Sequence, residues 1–87
     1  MATVRDEVIG IVRRRMYLKV NPEYQIKPED PLLEHLGADD VAVQEIFWDV
    51  EELYKSHDLD LNKAFPFNTF ESMKIADIIE HVEANIK

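Results

Sequence analysis

Helical spacing of apolar residues is the sequence feature that most constrains how this chain can fold. In three segments the apolar residues recur three or four positions apart, which places them along one side of a helix. The first segment carries this stripe from Val4 to Val12, and the last carries it from Ile75 to Ile86. No segment has the alternation of a β-strand. We therefore predict an all-α fold, a small four-helix bundle of three longer helices and one short helix.

Polar residues ahead of the first two stripes predict where those helices begin. Thr3 is expected to cap the first helix, and Asp39 is expected to cap the second, with Asp40 in its first turn. An acid at that end is favoured by the helix dipole. The second helix is predicted to run to about Ser56.

A proline-rich stretch separates these two helices. Each proline in it removes a backbone donor and restricts the residue before it, so the stretch cannot be helical. The three prolines are Pro22, Pro28 and Pro31. We expect an ordered connection from Val20 to Leu36, held to the core by its apolar side chains.

The second half of the chain is predicted to contain a short helix and a long one. The short helix is expected at residues 61–65, ended by Pro66, and an aromatic loop follows it. The long helix is expected at about residues 72–86, with Ser72 as its capping residue. All 87 residues are predicted to form a single domain.

The charge balance favours a protein as the partner of this chain. Eighteen acidic residues outnumber ten basic ones, which gives a net charge of −8. Such a field repels phosphate backbones and anionic lipid heads, so we expect neither nucleic acid nor a membrane as partner. A basic protein surface is the better candidate. The charge also has a simpler interpretation, because it keeps a small protein soluble.

The composition gives no sign of catalytic or metal chemistry. There is no cysteine, so disulfides and thiolate sites are excluded. His35, His57 and His81 lack the spacing of metal ligands, and neither a glycine-rich phosphate loop nor a nucleophile elbow is present. We therefore predict no enzyme activity, no metal and no cofactor. The absence of a signal-peptide or membrane pattern predicts a cytoplasmic protein, and we expect it to be monomeric on its own.

Projected as a helix, the second segment has two different sides. One side is apolar and wide enough to fill a core. It comprises Val43, Ile46, Phe47, Val50, Leu53 and Tyr54. The opposite side carries Val41 and Trp48 beside the carboxylates of Glu45 and Glu52, with Asp49 close by. An apolar anchor among acids is typical of a surface that binds a basic partner.

Several residues have a plain structural interpretation as well. Trp48 would be covered if Tyr24, Ile26 or Leu32 from the proline-rich connection packed on it, and a ligand pocket is a third option. The run Arg13–Arg15 fits charge compensation at a helix end better than a docking site. The phenylalanines around Pro66 are expected to form core and lid.

The stretch LGADDVAVQEIFWDVEELY resembles the central motif of the acyl carrier protein family, in which Leu-Gly-x-Asp-Ser-Leu opens an acidic helix. The agreement continues with KIADIIEHVEANI, which is similar to the last helix of that family, and it spans nearly the whole chain. The matching residues of the central motif are Leu36, Gly37, Ala38, Asp39, Val41, Glu45, Ile46, Val50, Glu51, Glu52 and Tyr54. The resemblance implies the four-helix carrier fold and a second helix that partner enzymes recognise.

One position departs from the family where it matters most. The family attaches 4′-phosphopantetheine to the serine after the aspartate, and this chain has Asp40 there. A carboxylate cannot form that stable phosphodiester, so the group is expected only if position 40 were serine. Ser56 and Ser72 lie in the wrong surroundings to replace it. Gln44 and Trp48 also differ from the usual pattern.

Three hypotheses follow from the sequence. In the first, the chain is a carrier-like interaction module that docks a basic partner, such as an enzyme of fatty acid or polyketide metabolism, through its acidic second helix. The residues expected to bind that partner are Asp39, Asp40, Val41, Glu45, Trp48, Asp49 and Glu52. In the second, it is an acidic inhibitor or immunity-type protein that neutralises a basic enzyme. In the third, it is a genuine carrier whose serine has been substituted.

Overall fold

The computed structural model describes residues 3–86, which contain four α-helices and no strand. The helices are α1 (Val4–Arg15), α2 (Asp40–Leu53), α3 (Leu61–Ala64) and α4 (Ile75–Asn85). Two 3₁₀ segments, Lys55–His57 and Phe67–Ser72, lie between them. This arrangement confirms the predicted all-α fold, with three longer helices and one short one. None of the helices described combines the length and the apolar character required to cross a membrane.

The start of α1 is fixed by the predicted threonine cap. The Asp6 N–H donates to Thr3 Oγ1 (3.2 Å), and the Thr3 N–H donates back to Asp6 Oδ2 (3.5 Å). The two bonds satisfy backbone donors that a helix start leaves without partners. Beyond this cap, Val8 and Val12 are fully buried, and α1 packs against both α2 and α4.

The core is apolar and draws on every part of the fold. Its fully buried members include Val8, Val12, Leu32, Val43, Ile46, Phe47, Val50, Leu61, Ile75, Ile78 and Val82. Leu32 comes from the proline-rich connection, which also places Ile26 in the core. The connection is therefore ordered, as predicted, and its apolar side chains help to close the bundle.

The proline-rich connection also holds its neighbours through its backbone. The Ile75 N–H donates to the Asp30 carbonyl (3.2 Å), and the Ala76 N–H donates to the Pro28 carbonyl (2.6 Å). These carbonyls satisfy free donors in the first turn of α4. At the other end, Gly37 takes a positive φ of 75°, which a side chain would strain, just before α2 begins.

The predicted start of the last helix is wrong. The helix begins at Ile75 and not at residue 72, because Met73 is extended and its carbonyl accepts a hydrogen bond from the Leu32 N–H (3.2 Å). Ser72 is therefore not a cap, and its hydroxyl donates to the Thr69 carbonyl (3.3 Å) in the preceding 3₁₀ segment. The backbone of the long connection caps α4 instead.

The end of α2 also differs from the prediction. The regular helix stops at Leu53, tightens into the 3₁₀ segment that includes Ser56, and ends with Asp58 in a left-handed conformation (φ 56°). Leu53 is 47% exposed, so its predicted place in the core is wrong, whereas Tyr54 is half-buried. A helical projection places Leu53 at the rim of the apolar stripe, where the bundle no longer covers it.

Candidate protein-binding face of helix α2

The two sides of α2 differ in burial as the sequence predicts. Val43, Ile46 and Phe47 have no exposed surface, and neither does Val50. On the opposite side Val41 is 67% exposed and Trp48 is 59% exposed. An indole and an isopropyl group so exposed on one helix form an apolar surface that residues 3–86 leave largely uncovered.

The proline-rich connection does not bury Trp48. Ile26 and Leu32, which were candidates to cover it, lie in the core. Tyr24, the third candidate, packs its ring against His35, with ring centroids 5.5 Å apart. The indole of Trp48 thus remains accessible to a binding partner.

We define the outer face as Val41, Glu45, Trp48 and Glu52. Successive members are separated by four, three and four positions, so they lie along one line on α2. At a rise of 1.5 Å per residue, the line is about 16 Å long. That length is comparable to three turns of a partner helix, and its two apolar members alternate with its two acids.

One edge of this face is already occupied by arginine from α1. Arg15 donates two hydrogen bonds to Asp49, from Nε to Oδ2 (2.6 Å) and from Nη2 to Oδ1 (2.8 Å). Its Nη1 also donates to Glu45 Oε2 (3.3 Å), and Arg14 approaches Asp49 at 3.9 Å. These are charge-assisted bonds with the fork geometry that guanidinium favours.

The arginine contacts change the charge state that a partner would meet. The hydrogen bond from Arg15 lowers the pKa of Asp49 below its usual value of 3.8, and the same bond raises the pKa of Arg15. Asp49 therefore stays ionised at neutral pH but is largely neutralised by its neighbour. Glu45 and Asp49 are thus ion-pair partners within the bundle, which weakens their predicted role as free docking acids.

Asp39 has a structural role at the start of α2. Its Oδ1 accepts a hydrogen bond from the Ala42 N–H (2.8 Å), which confirms the predicted cap. This bond lowers the pKa of Asp39, and the nearby Lys19 ammonium, 3.7 Å from Oδ2, lowers it further. Asp39 is thus engaged with its own helix and with Lys19, which follows α1.

Two predicted acids remain exposed and loosely held. Asp40 lies at the first position of α2, beside a cleft of about 390 Å³ that Leu33 and Phe67 also line. Within residues 3–86 the ion-pair partner of Glu52 is Lys55, at 3.8 Å, and more than three-quarters of each side chain is exposed. Such pairs contribute little to stability, so Glu52 is available to a cation on another molecule.

The neighbouring acids Glu51 and Glu52 point to different sides of α2. Glu51 Oε2 accepts a hydrogen bond from the Leu61 N–H (2.8 Å) and so ties α2 to the start of α3. Glu52 points to the exposed side. Carboxylates that serve different partners do not form a paired acid–base site.

The aromatic residues after α3 divide between core and surface. Phe70 is buried and meets Phe47 edge-on, with ring centroids 5.5 Å apart. Phe65 is half-buried and packs on Phe47 and His81. Phe67 is 68% exposed, so the predicted core-and-lid role applies to Phe70 and Phe65 but not to it. Across residues 3–86, no group of three or more histidines and acids is arranged to hold a metal ion.

The contribution of α1 is the part of this site that sequence reasoning missed. Arg14 and Arg15 were assigned to the helix dipole, and Lys19 was given no role. Their positions at the end of α1 are visible in the sequence, but the sequence does not say which carboxylates of α2 they meet. The pairing depends on how two helices distant along the chain pack together.

Comparison with known proteins adds no relative to this description. No family model, curated protein or solved structure matches the chain. The function must therefore be inferred from the exposed face of α2 and from the charges around it.

Proposed function

We propose that this chain is a carrier-like interaction module, without the attachment serine, that binds a basic protein partner through the outer face of α2. The observation that carries the proposal is the exposure of Val41 and Trp48 on a helix whose opposite side fills the core. Tryptophan at the centre of an interface supplies much of the binding energy in many complexes. The module is proposed to act in the cytoplasm as a monomer that associates with its partner.

Charge supports a basic partner, but fewer acids are free to bind it than the sequence predicts. The net charge of −8 attracts a basic surface over long distances and accelerates association. At close range Glu52 and Asp40 are exposed and not bound by Arg15, whereas Glu45 and Asp49 are engaged by it. The partner is therefore expected to present an apolar groove for Trp48 with a cation near Glu52.

The carrier part of the proposal rests on the order of the helices and on the motif before α2. A long ordered connection leads into Leu36-Gly37-Ala38-Asp39, and a short α3 separates α2 from α4, as the resemblance implies. Position 40 is exposed at the start of α2, where the family carries its serine. With aspartate there, recognition by an enzyme of acyl or polyketide metabolism is retained without cargo.

Restoring serine at position 40 tests the carrier relationship. The Asp40→Ser variant and the unchanged protein are incubated with coenzyme A and a broad-specificity phosphopantetheinyl transferase, and each is weighed intact. We expect the variant to gain one phosphopantetheine group and the unchanged protein to gain none. A Glu80→Ser variant, with serine at an exposed position of α4, is the control. Absence of modification in Asp40→Ser would overturn the carrier relationship. Modification of the protein that has Asp40 would show that it carries cargo after all.

A photo-crosslinking amino acid at position 48 tests the docking face. In the native host, benzoylphenylalanine in place of Trp48 should capture one partner, whereas the same group in place of Glu80 should not. The purified partner is then titrated with Trp48→Ala, Glu52→Lys and the control Glu80→Lys. Loss of binding in the first two alone supports the outer face. Equal binding by all variants would contradict it.

The same face fits a second function, an acidic inhibitor of a basic enzyme. The net charge and the exposed Trp48 favour it, because inhibitors of this kind cover a basic active site. The captured partner separates the two: inhibition of its catalytic activity by a stoichiometric amount of this chain identifies an inhibitor. In the third function, a carrier with substituted serine, the natural coding sequence would specify serine at position 40.

A further inference from the structure

The two edges of the outer face of α2 differ in how their acids are paired. At about 100° per residue, Glu45 and Asp49 lie to one side of Val41, and Asp40 lies to the other side. Arg15 from α1 binds both acids of the first edge. Within residues 3–86, no ion pair involves Asp40. The edge away from α1 therefore keeps a negative charge that the α1 edge has largely lost.

A cleft of about 390 Å³ opens at this second edge, between the start of α2 and the second 3₁₀ segment. It is lined by three apolar side chains, two carboxylates and one amide, which are Leu33, Phe67, Phe70, Asp40, Glu71 and Asn68. None of these lining residues is basic, and within residues 3–86 no ion pair involves Glu71 either. The cleft thus combines apolar walls with two carboxylates that have no cation beside them.

The aromatic wall of the cleft is exposed and yet held in place. Phe67 is 68% exposed, and its ring packs on Phe70 with centroids 5.6 Å apart. Phe70 is in turn anchored in the core against Phe47. The Thr69 N–H (2.8 Å) and hydroxyl (2.7 Å) both donate to the Pro66 carbonyl and brace the turn that carries the ring. A wall fixed in this way needs little reorganisation when a ligand binds.

These features favour a cation on an apolar stem. An anion is repelled by both carboxylates, and a neutral apolar group would cover them without giving them a partner, which is costly. A guanidinium meets each requirement, because its plane stacks on an aromatic ring and its forked N–H groups suit carboxylates. The methylene stem of an arginine covers apolar surface while its charged end stays with the acids.

We propose that this cleft receives an arginine side chain of the protein partner, a contact that rests on the proposed function. The guanidinium donates to Asp40 and Glu71 over the face of Phe67, and the methylenes pack on Leu33. Asp40 lies eight positions before Trp48, which is about 12 Å along α2. The partner is therefore expected to present this arginine about 12 Å from the groove that takes Trp48.

Titration with N-acetyl-arginine N-methylamide, followed by backbone amide NMR at constant ionic strength, tests the cleft without any partner. For a single side chain we expect a Kd of about 10–50 mM, with shifts concentrated at residues 33, 40 and 67–71. The equally capped citrulline, which has the same shape without the charge, should bind more weakly by roughly threefold or more. The proposal is overturned if capped arginine causes no shifts at the cleft or if capped citrulline binds equally. Shifts at the larger cavity lined by Lys19 and Tyr24 instead would also overturn it.

Variants of exposed residues make the titration specific. Asp40→Asn and Glu71→Gln should each weaken binding of capped arginine roughly threefold to fivefold, because each removes a charge and keeps the shape of the side chain. Phe67→Leu should weaken it roughly twofold to fivefold, since leucine has no aromatic face. The control Glu80→Gln, at an exposed position of α4, should bind as the unchanged protein does. Unchanged binding by either carboxylate variant would overturn the proposal.

The partner captured through position 48 tests the same contact in the complex. Glu71→Lys should weaken its binding roughly fivefold to tenfold by charge reversal, whereas Glu80→Lys should not change it. If Trp48→Ala loses the partner but Glu71→Lys keeps it at full affinity, this inference is overturned and the proposed function stands. Full affinity in Trp48→Ala would instead overturn the proposed function and, with it, the arginine contact.

Discussion

The inner and outer sides of α2 both carry large apolar residues, yet they meet different surroundings. Phe47 on the inner side is fully buried and touches the rings of Phe65 and Phe70. Trp48, the next residue, is 59% exposed on the outer side. Adjacent positions on one helix thus have opposite surroundings, and under the proposed function they serve stability and recognition separately. The exposed side of this helix can therefore vary without changing the core.

The acids of α2 divide in a similar way. Glu45 and Asp49 face α1 and are bound by Arg15, whereas Glu52 meets solvent and a loosely placed Lys55. The first pair joins two helices of the bundle. Under the proposed function, Glu52 contributes to the field that an approaching partner meets. The number of acids in the α2 sequence is therefore larger than the number that are free of an arginine.

The largest expected effect is the difference in stability between truncating Phe47 and truncating its neighbour Trp48. Phe47→Ala should destabilise the fold by about 3–5 kcal/mol, because it leaves a cavity in a packed core. Trp48→Ala should change the free energy of unfolding by less than about 0.5 kcal/mol. Urea unfolding followed by circular dichroism, which does not need the tryptophan, measures both.

A milder core variant protects this comparison if Phe47→Ala does not fold. Val43→Ala removes two methyl groups from a fully buried site and should cost about 2 kcal/mol. Its exposed counterpart, Val41→Ala, should again cost less than about 0.5 kcal/mol. Similar losses at positions 43 and 41 would mean that the two sides of α2 do not differ as described.

An intermediate effect is expected from the arginine-bound acid Asp49. Because Arg15 lowers the pKa of folded Asp49, the folded state binds fewer protons than the unfolded state. The stabilisation is therefore present above pH 4 and is lost as the pH falls through the lowered pKa. Asp49→Asn should reduce the urea midpoint by about 0.2–0.5 M at pH 7 and by progressively less below pH 4.

The control for this variant is Glu52→Gln, which should leave the urea midpoint unchanged at every pH. Asp39, whose pKa is also lowered, contributes to acid sensitivity in both proteins and cancels when variant and unchanged protein are compared. A constant difference between Asp49→Asn and the unchanged protein from pH 7 to pH 3 would show that the pair with Arg15 does not stabilise the fold.

Much of the fold could be predicted because it depends on local rules. The caps at Thr3 and Asp39 need only nearby backbone donors, and the buried stripe of α4 follows from helical spacing. The predicted cap at Ser72 is wrong because backbone from a distant part of the chain satisfies the helix start instead. The carbonyls of Pro28 and Asp30 accept hydrogen bonds from the first turn of α4. Local sequence carries no information about that contact.

The candidate site was predictable to the same extent. Exposure of Val41 and Trp48 follows from their angle on the helix, which the sequence alone defines. The engagement of Glu45 and Asp49 by Arg15 does not follow, because it requires the packing of α1 against α2. The predicted burial of Leu53, at the rim of the stripe, is wrong for a related reason, since how much of its side chain is covered depends on neighbouring elements.

The smallest expected effect concerns the field at Trp48, the single tryptophan of the chain. Relative to free tryptophanamide, its fluorescence should be quenched more efficiently by caesium and less efficiently by iodide, because the exposed Glu52 lies one turn away. Glu52→Gln should reduce the ratio of caesium to iodide quenching by roughly 1.5-fold to 2-fold, as expected for one charge within a Debye length. Glu80→Gln, at an exposed position of α4, should leave the ratio unchanged. An unchanged ratio in Glu52→Gln, or an equal change in Glu80→Gln, would mean that Glu52 does not set the field at the indole, and the cation of the proposed partner would then have to be sought elsewhere on the face.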